Sequence, residues 1–434
     1  MGRLRLRIKA PPEWGIEPVD PSHRILGFLD YFVLWSSLGV GLLVLLAGSQ
    51  LVPALGLGQA LLAIVLGTAI GNIPLALLGY MGGKHGIPSM VLVRPSFGMR
   101  GSLLPTILNV VQLIGWTVFE ISIMASAADA FSRIAFGYSN FGLWATAFAS
   151  ICTLMAIGGP LAVIRKWLEK FAIWLVYGTA GWLLYGLLSS HSAAELFAAK
   201  PAGGLSFSLA MDLVIAMPIS WMPLVADYNR FASTPSRASW GTYLGYFVAN
   251  VLFYSLGALL VLATGQPDLI RAIAALVMGI PALLIILVDE TDNAFADIYS
   301  AAVSIQNALP KLPQKASAPL IGLVGLIISL VLPIEQYEWF LLWIGSVFIP
   351  LFGVVIADNL IERGGYDLGE LYRAGGRYWY SKGVNPIAIS SWGFGVAFYY
   401  LMVREFPDLG ASIPSLLLSS AIYLALMKLF GRRR

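Results

Sequence analysis

Long apolar runs separated by short polar or Pro/Gly-rich breaks dominate the chain. They fall at about 26–50, 58–81, 103–128, 140–163, 168–189, 207–225, 240–264, 276–307, 318–334, 338–360, 386–403 and 412–430. Each is long enough for an α-helix to cross a bilayer, which takes roughly 17 to 25 residues. The pattern predicts an all-α membrane protein with twelve transmembrane helices and short loops. Residues 1–25 read as a polar, Pro-rich N-terminal segment that leads straight into the first span, unlike a cleavable signal peptide.

Composition supports that class. Hydrophobic residues make up 58% of the 434 and charged residues 12%, about half the charge of an ordinary soluble domain. So few charges could not cover a water-exposed surface. The net charge of +4 gives no reason to expect a nucleic-acid partner; what matters is where the charges lie. With twelve spans and a cytoplasmic N-terminus, one side receives 23 of the 27 Lys and Arg residues, and the other only Arg133, Lys200, Arg271 and Arg404. The positive-inside rule then places both termini in the cytoplasm of a multi-pass plasma-membrane protein, and an odd span count would scramble the division. Cys152 alone can form no internal disulfide. His23, His85 and His191 fall outside the apolar runs, which argues against an intramembrane metal or histidine relay. No cofactor is expected beyond a coupling ion.

Two runs carry helix-breaking clusters at mid-span: Ser36, Ser37, Leu38, Gly39, Val40 and Gly41 in the first, and Met217, Pro218, Ile219, Ser220, Trp221, Met222 and Pro223 in the sixth. Backbone can unwind at membrane depth only where it faces protein, water or ligand. Interruptions five helices apart fit a five-plus-five inverted repeat with an ion and substrate site between them. Bending by Gly and Pro, frequent in membrane helices, is the plainer explanation.

Polar groups at membrane depth concentrate on two runs. In the third, Asn109, Gln112, Trp116 and Glu120 lie within an arc of roughly 80° on one helix face. Trp116 offers a stacking surface for a planar heterocycle, and Gln112 and Glu120 can pair with its N–H and C=O edges. Such amides also serve as glue between membrane helices. In the eighth, Asp289, Asp292, Asn293, Ala296 and Ser300 share a stripe, with Glu290 and Asp297 pointing elsewhere. The stripe suits a hard cation or a proton-accepting carboxylate, since the apolar stretch from Leu276 to Val288 is too short to span without it. Asp30, Asp227 and Asp358, near span ends, are expected to pair with basic loops.

Several segments resemble the purine and cytosine permease branch of the nucleobase:cation symporter-1 family: LGFLDYFVLWSSLGVG from Leu26, LLGYMGGKHGIPSMVLVRPSFGMRGSLLP from Leu77, NVVQLIGWTVFE from Asn109, SWMPLVADYNRF from Ser220, FADIYSAAVSIQN from Phe295 and FIPLFGVVIADNL from Phe348. The stretch DETDNAFADIYSAAVS is also similar to a subgroup proposed to carry hydroxymethylpyrimidine. The resemblance implies inverted repeats over 26–190 and 207–360, two extra helices over 386–430, and alternating access with Na⁺ or H⁺ symport. It implies a substrate site of Trp116, Glu120, Gln112, Gly41, Ser220 and Trp221. It also implies a Na⁺ or proton-coupling site of Ser37, Val40, Asp289, Asp292 and Asn293. The family's sodium site usually uses neutral oxygens, so two acids there imply a tighter cation site or proton coupling. Glu120 stands where hydantoin carriers have a glutamine; as an accepting carboxylate it favours rings rich in N–H donors.

The leading reading is a secondary active importer of a neutral nucleobase-like heterocycle: cytosine, a purine or hydroxymethylpyrimidine. A same-fold carrier of hydantoin, allantoin, an amino acid or an amine is the alternative. A polytopic membrane enzyme would need a nucleophile with its base or a set of paired metal ligands, and the spans contain neither. A channel would need a pore-lining repeat, which is also missing.

Overall fold

The computed structural model describes residues 14–164, 172–266, 268–276, 279–332, 337–363 and 365–430. Arg3, Arg5, Arg7, Lys9, Arg165, Lys166, Lys170 and Arg432 to Arg434, which contribute to the charge asymmetry, lie outside them. The described residues form helices, short 3-10 turns and two isolated bridges. The principal helices are α1 (Phe28–Ser37), α2 (Leu42–Ser49), α3 (Leu57–His85), α4 (Leu103–Phe136), α5 (Phe141–Gly158), α6 (Ile173–Ser190) and α7 (Phe207–Ser220). They continue with α8 (Val225–Asn229), α9 (Pro235–Thr264), α10 (Gly279–Ala308), α11 (Gln314–Ser329), α12 (Tyr337–Ile361), α13 (Pro386–Glu405) and α14 (Ser412–Phe430).

Each of the twelve apolar runs contains helix. Eight described helices are long and apolar enough to cross a membrane, or nine if α1 and α2, bent by 62°, count as one broken span. The other three runs fall short for identifiable reasons. Helices α7 and α11 have only 14 and 16 residues, and α10, with 30, carries Asp289, Glu290, Asp292 and Asp297.

Local chemistry sets the ends. Asn140, Ser206, Thr234 and Asn385 cap α5, α7, α9 and α13 by accepting first-turn N–H groups. The first break lies where the sequence places it, over residues 38–41. The sixth-run break lies later than mid-span: α7 runs through Pro218 to Ser220, and only the five residues of α8 follow the turn. Pro223 lacks an N–H and disfavours helix at the residue before it, so it stops the helix there.

Each broken pair leans on one continuous helix. Gly241 and Gly245 of α9 face the Phe28 and Phe32 carbonyls of α1, and Gly257 faces the Leu45 carbonyl of α2. In the same way, Gly67 and Gly71 of α3 face the Met211 and Ile215 carbonyls of α7, and Gly82 faces Ala226 of α8. A Cβ at these positions would collide with the neighbouring backbone, so small residues fix how closely the helices approach. Helix α10 packs along α4 and also touches α1 and α2.

Candidate functional site

The break between α1 and α2 exposes helix ends to α10. Asn293 Nδ2 donates to the Val40 carbonyl at 3.0 Å, and the Leu42 N–H, in the first turn of α2, donates to Glu290 Oε2 at 2.8 Å. An N-terminal amide suits a carboxylate because nothing within the helix can accept from it and the helix dipole is positive there. Gly41 makes this approach feasible: a Cβ would sit 3.0 Å from both Glu290 carboxyl oxygens and 3.2 Å from Asn293 Nδ2. Gly41→Ala is therefore expected to push Glu290 aside and weaken uptake affinity roughly tenfold, the scale of one disrupted charged hydrogen bond. Protein yield and thermal midpoint should stay near wild type. Transport assays beside a melting curve check this, and unchanged affinity would remove Glu290 from the site.

A narrow cavity opens beside the break. Its lining includes Gly41, Trp116, Glu120, Ser220, Trp221, Glu290, Asn293 and Asp297. Five of the six sequence-derived substrate residues thus meet at one place. Trp116 is backed by Phe340, edge to face at 5.4 Å, and Trp221 packs against Trp35 at 6.0 Å. The Ser220 hydroxyl donates to the Met217 carbonyl at 2.7 Å within its own helix.

Gln112, the sixth, is not among the lining residues. Its Nε2 donates to Asn109 Oδ1 at 2.8 Å, and Asn109 in turn donates to Ser304 Oγ at 2.9 Å. Asn109 thus ties α4 to α10, whereas Gln112 bonds within its own helix and its Oε1 is buried without a partner. A shared helix face is not a shared cavity: one turn along α4, a neighbouring helix covers the stripe.

Glu290 and Asp297 move the other way. The single-stripe reading of α10 pointed them away from the site, yet both line the cavity and are buried. The Glu290 carboxyl lies beside that of Glu120. Two carboxyl groups attract at that distance only with a proton, a cation or a donor between them. The missed signal is the spacing: Glu290, Asn293 and Asp297, at i, i+3 and i+7, form a second stripe within roughly 60°.

The first stripe faces α1. Ser37 Oγ lies 2.9 Å from Asp289 Oδ1 and 3.2 Å from Asp292 Oδ2, so its single proton serves one carboxyl at a time. Asp289 Oδ2 and Asp292 Oδ1 are buried without a partner. This donor set fits a hard cation or a proton. The Val40 carbonyl, already accepting from Asn293, is held beside it rather than open. Among the described residues, no three His, Cys, Asp or Glu side chains converge as a metal cluster.

The three interface acids differ in their partners. Asp30 accepts from the Gly27 N–H at 2.7 Å. Asp358 accepts from the Tyr423 hydroxyl at 2.6 Å and the Tyr366 hydroxyl at 3.3 Å, not from a basic loop. Asp227 accepts from the Ser89 N–H at 2.8 Å and also feels the charge of Arg230. Near this end of the bundle Arg94 is buried, donating to Asn307 Oδ1 at 2.9 Å and the Leu371 carbonyl at 3.1 Å. Burial pulls its guanidinium below the ordinary value, and Tyr372 beside it works in the opposite direction. Arg230 donates to the Gly15 carbonyl at 2.7 Å and Tyr372 to the Ile16 carbonyl at the same distance, so the segment around Trp14 is strapped onto the bundle.

Comparison with known proteins places this geometry. The chain is 25% identical over 423 residues to the hydantoin permease of Microbacterium maritypicum, covering 90% of this chain and 84% of that one. It is 26% identical over 357 residues to the cytosine permease of Escherichia coli strain K12, covering 81% and 80%. Among solved structures it resembles Mhp1, a nucleobase-cation-symport-1 family transporter, in a closed conformation with bromovinylhydantoin bound, with a TM-score of 0.85 at 22% identity and coverage of 96% and 95%. Residues 18–417 match the family described as permease for cytosine/purines, uracil, thiamine, allantoin. The relatives are permeases, so the chain is a membrane transporter and not an enzyme, and it belongs to the nucleobase:cation symporter-1 family.

Proposed function

We propose that the protein imports a nucleobase-like flat heterocycle, such as cytosine, a purine or hydroxymethylpyrimidine, by Na⁺ or H⁺ symport with alternating access. The observation that carries this reading is the cavity at the α1–α2 break, where Trp116 and Trp221 accompany Glu120, Glu290 and Asn293. Aromatic faces hold a ring, and in-plane acceptors read its edge. Ser37, Asp289 and Asp292 form the coupling site, with Asn293 and the Val40 carbonyl at its margin.

In this reading the chain crosses the plasma membrane twelve times with both termini cytoplasmic. Helices α1 to α6 form one half of an inverted repeat, α7 to α12 the other, and α13 and α14 are additional. The reciprocal bracing supports the repeat: α1–α2 lean on α9, and α7–α8 lean on α3. A hydantoin or allantoin is the second reading, favoured by the hydantoin permease relative.

The test is a thermal-shift screen of purified protein against nucleobases, hydroxymethylpyrimidine and hydantoins, with and without Na⁺. A ligand at a hundred times its Kd raises stability by about 2.7 kcal/mol, a clear rise in midpoint. A nucleobase or hydroxymethylpyrimidine should give it, and a response to hydantoins alone would select the second reading.

A further inference from the structure

Every buried side-chain polar atom that the cavity lining leaves without a partner is an acceptor. Glu120 Oε2, Glu290 Oε1 and Asn293 Oδ1 are buried and unpartnered. Their residues are 5%, 0% and 3% exposed. Glu290 is held by the Leu42 N–H, and Asn293 directs its amide N–H to Val40, so its oxygen is what remains. Among the described lining residues none is Lys, Arg or His.

A ring that presents a carbonyl to this wall sets acceptor against acceptor, and buried groups left unpaired are costly. A ring with two adjacent N–H donors on one edge satisfies both carboxyls in its own plane. Positive charge on that ring offsets buried carboxylates that have no other cation. The indole faces of Trp116 and Trp221 attract the same charge.

We propose that the transported ring is bound as an amino-substituted heterocyclic cation, its amidinium-type edge satisfying Glu120 and Glu290; a ring that is neutral in water, such as cytosine, takes up one solvent proton at its ring nitrogen as it binds. The proposal rests on the reading of the cavity as the site of a flat ring, and it replaces the neutral substrate expected from sequence by a donor-rich, positively charged one.

Two matched probe pairs test it on the purified full-length protein, with Kd read from tryptophan quenching: benzamidine against benzamide near neutral pH, and cytosine against uracil at a pH low enough to protonate part of the cytosine. Benzamidine and cytosine should each bind roughly ten- to a hundredfold more tightly than their partners, the scale of a charged hydrogen bond gained or lost. Glu120→Gln and Glu290→Gln should each narrow both gaps to within about threefold. The wild-type ratios decide even if a variant fails to fold. Parity or reversal in either pair overturns the proposal, and if uracil binds as well as cytosine, the flat-ring reading still stands. If none of the four binds and no heterocycle in the thermal screen does, that reading falls together with the proposal.

Discussion

Replacing Trp116 with alanine should abolish saturable uptake while leaving the protein in the membrane. Stacking of a base on an aromatic side chain contributes about 1–3 kcal/mol, roughly a five- to 150-fold change in affinity. Trp116 also packs edge to face on Phe340 at 5.4 Å, so its removal leaves a gap in the wall as well as an unsupported ring. A truncated core tryptophan can destabilise by about 3–5 kcal/mol, and the control is therefore Trp116→Phe, which keeps an aromatic face. The phenylalanine variant should transport with an affinity within about tenfold of wild type, and the alanine variant should show only non-saturable entry at equal protein level. Wild-type kinetics in Trp116→Ala would remove stacking from the account.

The second large effect concerns coupling. Asp292→Asn, and separately Asp289→Asn, should eliminate accumulation against a gradient while sparing exchange of labelled for unlabelled substrate. Both acids face the Ser37 hydroxyl, at 3.2 Å and 2.9 Å, and each keeps one buried oxygen unpartnered. Asparagine preserves the shape and an acceptor for Ser37 but removes one negative charge, the property that draws in a cation or proton. Moving one charge across a membrane potential releases about 2.3 kcal/mol per 100 mV, so a coupled carrier at that potential concentrates substrate roughly fiftyfold. The variants should fall to the equilibrium level in proteoliposomes. Imposed pH and Na⁺ gradients, applied one at a time to the wild type, identify the ion. Full accumulation by both variants would place coupling elsewhere.

The residues that matter divide by how much of their role depends on neighbours. Trp116 and Glu120 are legible because an indole and a carboxylate one helical turn apart at membrane depth are costly unless used. Gly41 and Ser37 are legible because unwound backbone at that depth needs something to face. Gln112 shares the same stripe as Trp116, yet its amide is engaged by Asn109, which no periodicity along one helix reveals. Glu290 fails in the opposite sense. A single-stripe reading assumes that α10 has one functional face, whereas this helix lies against α4 and also meets the α1–α2 break, so two adjacent faces are in use.

The sequence by itself determined the membrane class, the positions of the helices, the first break, the family resemblance and five of the residues that line the cavity, because hydrophobic run length, helix breakers and buried charge are local properties. Only the tertiary structure decided that α7 continues to Ser220 before turning, that Asp358 is satisfied by two tyrosines, and that Glu290 meets Glu120. Those outcomes depend on which helix faces which, and glycine contacts between distant segments set that docking. A carboxylate's partner is fixed by the packing of two helices, and the pattern along one helix limits the choice without making it.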